Sequence, residues 1–323
     1  MTMRVVIAAA LLAVTAGGAA AADLYPSRPV HVIAPFAAGG PPDITARILG
    51  GRMGELLGQN VVVENRSGAG GNIGGEAVAK AAPDGYTLLM ATVSTHVTNP
   101  GMYKHMPYDP VADFAPIGLV GLYPNVLVVP AGAAPTTVRE LIAFLKAHPG
   151  KVNYGSSGVG SMLHLCGDLL AKVAGVPMTH VPYRGAGPET TGLLAGEVLT
   201  GFNGITAILP QVKDGSLRAL AVGTPHRNAT LPAVPTVREA GYPQLACYSW
   251  AALFAPAGTS PAVVTKLNEA RTKALSEPAL AERLAEIGVE VTPDSSPAQL
   301  ASFLKEQLAT WTPIIKAAGV EMD

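Results

Sequence analysis

The sequence predicts an α/β protein with two lobes, between which the chain crosses twice. Apolar residues form 49% of its 323 residues and charged residues only 14%, a composition that supports a sizeable core and excludes a disordered chain. Short β-branched runs alternate with longer helical patterns over most of the length, which is typical of an α/β fold. The length also fits two domains of about 100–200 residues each.

The charge and cysteine content exclude several classes of protein. The chain has 22 basic and 23 acidic side chains, so it has no basic excess for binding the phosphates of a nucleic acid. Its two cysteines are too few for a cysteine-rich zinc site or a dense disulfide framework. The seven histidines form no H-x-x-x-H pair. We therefore predict no metal site, no cofactor and no nucleic-acid partner.

Residues 1–22 have the features of a secretory signal peptide. Arg4 supplies the positive start, an apolar stretch runs from 5 to about 16, and small residues follow. The triplet 20–22 satisfies the small-x-small rule, which predicts cleavage near Ala22. The apolar run is too short to span a bilayer comfortably, so we expect an exported protein rather than an anchored one.

The elements of the mature chain begin with a strand over 30–34 and a helix over 43–57. Ile44, Ile48 and Met53 fall on one side of that helix. The next predicted strands are 61–63, 87–91, 126–129, 152–154, 178–181, 198–202 and 217–222, and the helices among the later strands are 137–147, 161–174, 188–195 and 205–213. Because these strands are almost continuously apolar and alternate with helices, we expect a parallel sheet covered on both faces.

The C-terminal part breaks this alternation. A strand over 249–254 is followed by three helices with one short extended run, at 261–275, 278–287, 289–291 and 297–316. Such a set makes a poor independent domain, so we expect it to pack onto the sheet begun near the N-terminus. The predicted lobes are therefore 23–123 plus 249–323 and 124–248, with crossings near 122–125 and 247–250.

Four predicted loops at the carboxyl ends of strands are rich in glycine and hydroxyl residues. They cover 35–43, 92–100, 155–161 and 183–188. In open α/β sheets ligands bind at these ends, and the N–H groups of a helix N-terminus favour an anion. Hydroxyls and amides suit a carboxylate or carbonyl ligand without a full counter-charge. One such loop indicates no more than a connection, whereas four together favour a shared cleft.

Two charged residues of these loops have more than one interpretation. Asp43 begins a predicted helix, where its carboxylate either supports a ligand loop or acts as a plain N-cap. Arg184 can hold an anion through two hydrogen bonds, but it also fits a solvated surface arginine or an interdomain salt bridge.

Enzyme motifs are incomplete in these loops. Residues 155–159 resemble a nucleophile elbow, but Val159 stands where G-x-S-x-G requires glycine. The G-x-G-x-x-G fingerprint fails at Leu163 and at Thr190. A Ser-His-Asp site assembled from separate loops stays open, because triad residues need not be close in sequence. An exported α/β hydrolase of a small ester or amide is therefore the alternative to a non-enzymatic binding protein.

A series of motifs covers essentially the whole mature chain. They are Tyr25-Pro26-Ser27-Arg28-Pro29, the loop 35–43, the run 63–71, Pro83-Asp84-Gly85-Tyr86-Thr87-Leu88, Asn153-Tyr154-Gly155-Ser156 with His164-Leu165, Val181-Pro182-Tyr183-Arg184-Gly185, and the runs 217–222, 235–241 and 253–259. In this order they resemble the tripartite tricarboxylate transporter substrate-binding proteins, also called the Bug family.

The resemblance implies a periplasmic solute receptor with a two-lobed, hinge-closing Venus flytrap fold. Such a receptor holds a small carboxylate, mono- or dicarboxylic and aromatic or not, and delivers it to separate membrane transporter subunits; we expect a monomer. The implied ligand-binding residues lie in the four loops and on one further strand: Phe36, Ala38, Gly39, Gly40, Asp43, Ser94, Thr95, His96, Ser156, Ser157, Gly158, Tyr183, Arg184, Gly185 and Asn203.

One departure from the family pattern concerns charge. Where many members carry Phe-Asp-Asn, this chain has Phe202-Asn203-Gly204. Asn203 removes an acid and can donate as well as accept hydrogen bonds, so a substrate borrowed from Asp-bearing members does not transfer. Whether Cys166 and Cys247 form a disulfide or stay as free thiols is also open at this stage.

Overall fold

A computed structural model of the chain describes residues 25–323, so the predicted signal peptide lies outside the described residues. The strands are β1 Val30–Ala34, β2 Val61–Asn65, β3 Thr87–Thr92, β4 Phe114–Pro130, β5 Asn153–Ser156, β6 Thr179–Pro182, β7 Thr200–Gly204, β8 Leu217–Val222, β9 Tyr248–Pro256 and β10 Glu290–Val291. The helices are α1 Pro41–Leu57, α2 Asn72–Ala79, α3 Asn99–Met102, α4 Val138–Ala147, α5 Met162–Ala174, α6 Ala186–Ala195, α7 Ile205–Lys213, α8 Pro261–Leu275, α9 Pro278–Glu286 and α10 Pro297–Ala318.

The main departures from the predicted elements lie in two regions. The predicted loop 92–100 is mostly helical, with a π-helical turn at Ser94–Thr98 that leads directly into α3. Strand β4 begins at Phe114 rather than at 126, because its glycines and prolines conceal the strand pattern. Pairing with β9 overrides that local preference, and the register shifts at Pro116/Gly118 absorb the irregularity.

The sheet is mixed rather than parallel throughout, which corrects the prediction for its centre. Its order is β2-β1-β3-β9-β4-β7-β5-β6, and β8 and β10 also pair with β4. The pairs of β1 with β2 and β3, and of β5 with β6 and β7, are parallel as expected. The central strands β4 and β9 are antiparallel to each other, because the chain leaves along one and returns along the other.

The two central strands connect two groups of strands. The first half of β4 pairs with β9 and β10, and its second half pairs with β7 and β8. Where β4 passes between the groups, Leu122 lies opposite Trp250 and Tyr123 opposite Ser249. Two neighbouring antiparallel segments therefore carry both passages of the chain between the groups.

Buried apolar contacts link the two groups of strands, and a disulfide lies within residues 124–248. One apolar cluster includes Leu127 of β4, Leu165 of α5 and Trp311 of α10. Cys166 of α5 and Cys247 form a disulfide with their Cα atoms 5.9 Å apart, which resolves the alternative left open by the sequence. Within residues 25–323 no helix is both long and apolar enough to cross a membrane.

Candidate functional site

A cavity of about 410 Å³ lies between the two groups of strands, at the carboxyl ends of β1, β3 and β7. Its lining combines loop, helix-terminus and central-strand residues: Phe36, Gly40, Pro41, Pro42, Thr92, Val93, Ser94, Tyr123, Pro124, Asn125, Gly204, Ile205, Thr206, Ser249, Trp250, Ile287 and Gly288. Both passages of the chain between the groups therefore form part of the cavity wall.

The lining carries no charged side chain among these residues. Its polar side-chain groups are the amide of Asn125, the hydroxyls of threonine and serine residues, the phenol of Tyr123 and the indole N–H of Trp250, which has no partner among the described residues. That phenol lies 2.9 Å from Thr45 Oγ1, and burial raises the pKa of Tyr123 to about 12, so it stays neutral near pH 7. Apolar surface comes from residues such as Phe36 and Ile287. The cavity can hold a ligand through dipoles and apolar contact, without an ion pair to its wall.

Only part of the first predicted loop reaches the cavity. Phe36 and Gly40 line it, whereas Ala38 and Gly39 are exposed outside the lining. Gly39 has a φ of +83°, a conformation that favours glycine. Asp43 stabilises this loop, because its carboxylate accepts a hydrogen bond from the Gly39 N–H at 2.8 Å.

Asp43 is the third residue of α1, not its N-cap, which is Gly40. Its side chain is 2% exposed, accepts a second hydrogen bond from Asn65 at 2.9 Å and pairs with Arg47 at 2.9 Å. Burial opposes ionisation, but these partners together lower the pKa of the Asp43 carboxyl. The acid thus holds the loop in place, and its charge is compensated within the protein.

In the second predicted loop Thr92, Val93 and Ser94 line the cavity, whereas the predicted ligand-binding residues Thr95 and His96 do not. Thr95 turns inward, where its hydroxyl donates to the Thr92 carbonyl at 3.0 Å and lies 3.0 Å from His96 Nδ1. The His96 ring is wholly buried, with ring centroids 4.4 Å from Phe254 and 4.8 Å from Phe114. Burial lowers the pKa of His96 to about 3, so its imidazole is neutral.

The third and fourth predicted loops lie together but outside the cavity lining. The Tyr183 N–H donates to the Ser156 carbonyl at 2.9 Å, and the Gly185 N–H donates to the Ser157 carbonyl at 3.2 Å. Gly158 lies on the same surface, with a φ of +136°. Arg184 is exposed to solvent.

A serine–histidine contact exists beneath the third loop. Ser156 Oγ lies 2.6 Å from His180 Nε2, and the Ser156 side chain is wholly buried. His180 stacks on His164 with centroids 3.9 Å apart, but Asp168 lies against His164 and Tyr154 instead. Burial first, and then His164, lowers the pKa of His180 to about 4. A serine closed off from solvent, beside a histidine without an acid partner, is not a working triad.

Asn203 lies on the face of β7 that α6 covers. It is wholly buried, its Nδ2 donates to Thr190 Oγ1 at 3.2 Å, and its Oδ1 has no partner among the described residues. The next residues along the chain, Gly204 to Thr206, do line the cavity.

Sequence reasoning missed several lining residues as site residues. The N-terminus of α7 was predicted only as a helix start, and Asn125 and Ser249 only as parts of the two crossings. A signal existed, because helix 205–213 directly follows a predicted strand and so begins at the ligand-binding edge of the sheet.

The fold and the cavity together indicate the class of protein to which this chain belongs. Two groups of strands joined by paired central strands, with a ligand-sized cavity between them, are typical of proteins that bind small solutes by closing two lobes. A family model described as the tripartite tricarboxylate transporter family receptor matches residues 45–320. The chain belongs to this receptor family.

Known relatives agree with that assignment. The chain is 38% identical over 314 residues to protein BugT of Bordetella pertussis, covering 95% of each protein. It is similar to the structure of MatC from Rhodopseudomonas palustris with bound malate, with a TM-score of 0.71 and 33% identity over 90% of this chain and 100% of that one. It is also similar to Rpa4515 of R. palustris with adipate, with a TM-score of 0.73 and 36% identity over 91% of this chain and 98% of that one.

Proposed function

We propose that this protein is a periplasmic receptor that captures a small carboxylate in the cavity between its lobes and delivers it to the membrane subunits of a tripartite tricarboxylate-type transporter. The observation that carries the proposal is the uncharged cavity at the carboxyl ends of β1, β3 and β7, in a chain of this receptor family. The malate and adipate bound to two relatives support a carboxylate as the ligand.

The proposed lobes are 23–123 plus 249–323 and 124–248, and the hinge is the paired segment of β4 and β9. The opposed residues Leu122 and Trp250 support this location, because a change of backbone angles there moves one strand group relative to the other. In the present arrangement Phe36, Gly40 and Ser94 already line the cavity. Closure would bring the adjacent loops 156–158 and 183–185 towards the ligand.

A binding role also fits the chemistry of the site better than hydrolysis does. The lining contains no histidine or carboxylate that could act as a general base. Ser94 and Ser157 have no side-chain hydrogen bond to a histidine among the described residues, and Ser156 is buried. The family assignment favours the receptor and not the hydrolase.

A thermal-shift screen against carboxylates tests the proposed function. A ligand that binds only the folded protein stabilises it by about 2.7 kcal/mol at a concentration a hundred times its Kd. We expect at least one carboxylate to raise the melting temperature without being consumed. Turnover of a simple ester that Ser94→Ala or Ser157→Ala abolishes would contradict the proposal.

Small-angle scattering tests closure. We expect the radius of gyration to fall when the best carboxylate of the screen is added at saturation, because contacts from both lobes favour the closed form. An unchanged scattering profile at saturation would show that the hinge does not close on the ligand.

A further inference from the structure

Two histidine rings lie stacked beneath the third loop, residues 155–161, and each is hydrogen-bonded to one end of it. His164 Nδ1 accepts a hydrogen bond from the Gly160 N–H at 3.2 Å, near the end of the loop. His180 Nε2 lies 2.6 Å from the Ser156 hydroxyl, at its start. The conformation of this loop therefore depends on both imidazoles.

The hydrogen bond from Gly160 determines the tautomer of His164. Because Nδ1 accepts this bond, it carries no hydrogen, and the hydrogen of the neutral ring is on Nε2. Nε2 lies 3.4 Å from Asp168 Oδ2, so this hydrogen is beside a carboxylate. A further proton can then bind only at Nδ1, where it would face the Gly160 N–H. Protonation of His164 therefore places two donors against each other and breaks the contact with Gly160.

The two rings are surrounded by groups from α5, β5 and the C-terminal segment. Their centroids lie 3.9 Å apart, and Tyr154 of β5 lies 5.0 Å from the nearer ring. Asp168 of α5 carries a charge, and its Oδ1 accepts a hydrogen bond from the Tyr154 hydroxyl at 2.5 Å. From the C-terminal segment, Met322 packs against Gly160, and the acids on either side of Met322 pair with Lys104. Asp168 is therefore the counter-charge available to the pair of rings.

Burial keeps both rings neutral near pH 7. It lowers the pKa of His164 and of His180, the neighbouring ring lowers the pKa of His180 further to about 4, and Asp168 opposes both shifts. Two imidazolium ions at 3.9 Å would repel each other, so the rings titrate as a coupled pair. Because Asp168 lies against His164, the first proton is favoured on the ring that holds Gly160.

We propose that the stacked His164–His180 pair is a pH-sensitive switch for ligand capture: the neutral pair holds the third loop in its binding conformation, and a proton on His164 Nδ1 releases it. The Gly185 N–H donates to the Ser157 carbonyl at 3.2 Å, so a movement of the third loop also displaces the fourth. This inference rests on the proposed function, in which both loops close on a carboxylate, and adds that capture weakens in acid.

The size of the effect follows from the pH. A histidine with an ordinary pKa of about 6.5 is about 97% protonated at pH 5, so keeping His164 neutral at that pH weakens binding by up to about thirtyfold. At pH 7.5 the same histidine is mostly neutral, and the effect on binding is about 1.1-fold. The affinity is therefore highest above pH 6.5 and falls as the pH is lowered.

A fluorophore on the third loop tests the switch without a ligand. Val159 is 58% exposed, and both cysteines of the chain are in the disulfide, so Val159→Cys supplies a single thiol for an environment-sensitive dye. We expect a reversible change of the dye signal with a midpoint between pH 4 and 6.5, at constant far-UV circular dichroism.

Further substitutions in the labelled protein identify the group that titrates. His164→Asn places an amide oxygen where Nδ1 accepts and does not ionise, so it should remove the change. His164→Leu removes the acceptor, so it should give the acid signal already at pH 7.5. His105 is exposed and provides the control, since His105→Asn should leave the titration as it is.

Calorimetric titration with malate, adipate and benzoate at pH 7.5 and 5.0 connects the switch to binding. The Kd should rise on acidification at least fivefold more in the wild type than in His164→Asn, because protonation of the probe itself is the same for both proteins. An unaltered loop signal in His164→Asn, or equal rises in Kd, would overturn the inference and leave the receptor function intact. If none of the three carboxylates binds, the loop signal still decides whether the pair moves the loop, and the proposed function is what fails.

Discussion

Glu189 is a buried acid that should make the stability of this protein depend on pH. It lies in the first turn of α6, is wholly buried, and neither of its carboxylate oxygens has a partner among the described residues. The space is tight, since a Cβ at Gly201 would lie 2.9 Å from Glu189 Oε1 and one at Gly155 would lie 3.1 Å from Glu189 Cγ. Burial without a counter-charge raises the pKa of Glu189 to about 8 from an ordinary 4.5.

The direction of the effect follows from the raised pKa. Well below pH 4.5 the Glu189 carboxyl is protonated in both the folded and the unfolded protein, so it does not change the free energy of unfolding. As the pH rises from 4.5 to 8 the unfolded chain loses the proton while the folded protein keeps it, so folding becomes progressively less favourable. The pKa is about 8 in the folded protein and 4.5 in the unfolded chain. At about 1.36 kcal/mol for each unit of pKa, this difference lowers the free energy of unfolding by at most about 5 kcal/mol, and the full loss is reached above pH 8. We expect an actual loss of stability of about 2–4 kcal/mol, because the protein and nearby water rearrange around the charged carboxylate and reduce its burial penalty.

Glu189→Gln isolates this effect, since glutamine has nearly the same shape and does not ionise. Urea unfolding of the ligand-free protein at pH 5, 6.5 and 8.5 measures it. The variant and the wild type should agree to within about 1 kcal/mol at pH 5, and the variant should be about 2–4 kcal/mol more stable at pH 8.5. The exposed residue Glu282 provides the control, as Glu282→Gln should change nothing at any pH. Parallel stability curves for Glu189→Gln and the wild type would refute the reasoning.

Four further perturbations are expected to act as follows. Reduction of the Cys166–Cys247 bridge, which closes a sequence separation of 81 residues, should lower the free energy of unfolding by about 4–5 kcal/mol, and an unchanged urea midpoint with both thiols labelled would contradict this. Arg271→Met should lower the free energy of unfolding by at least about 3 kcal/mol in the same assay, because the wholly buried guanidinium of Arg271 donates to four backbone carbonyls. A decrease of less than about 1 kcal/mol would contradict this expectation. Gly39→Val should destabilise the folded protein by about 1–2 kcal/mol because of the φ of +83° alone, since a Cβ at this position meets nothing within 4 Å. Equal melting temperatures of the variant and the wild type would show that the loop changes conformation without cost. Arg184→Ala should weaken carboxylate binding less than tenfold by calorimetry, as this side chain is exposed outside the cavity, and a binding-dead variant would make Arg184 the anchor.

Most of the elements could be predicted because their residues carry a local pattern. The β-branched run of β1 and the apolar spacing of α1 and α7 indicate these elements wherever they pack. The first half of β4 could not be predicted, since its prolines and glycines oppose a strand and only pairing with β9 stabilises it. The turn Ser94–Thr98 was likewise predicted as a loop, because a π-helical turn has no sequence pattern of its own.

The candidate site divides in the same way. The sequence by itself determined that loops rich in amides and hydroxyls stand at the carboxyl ends of strands, that enzyme motifs are incomplete there, and which receptor family the motifs resemble. Only the tertiary structure decided that Ser94 faces the cavity while His96 is buried among aromatic rings, and that the third and fourth loops bind each other outside it. The reason is that a helix terminus or hydroxyl becomes available to a ligand only if no neighbour in space has already satisfied it. The Ser156 carbonyl already accepts a hydrogen bond from the Tyr183 N–H, and the His96 ring already packs against Phe254, and both contacts join residues that are far apart in the chain.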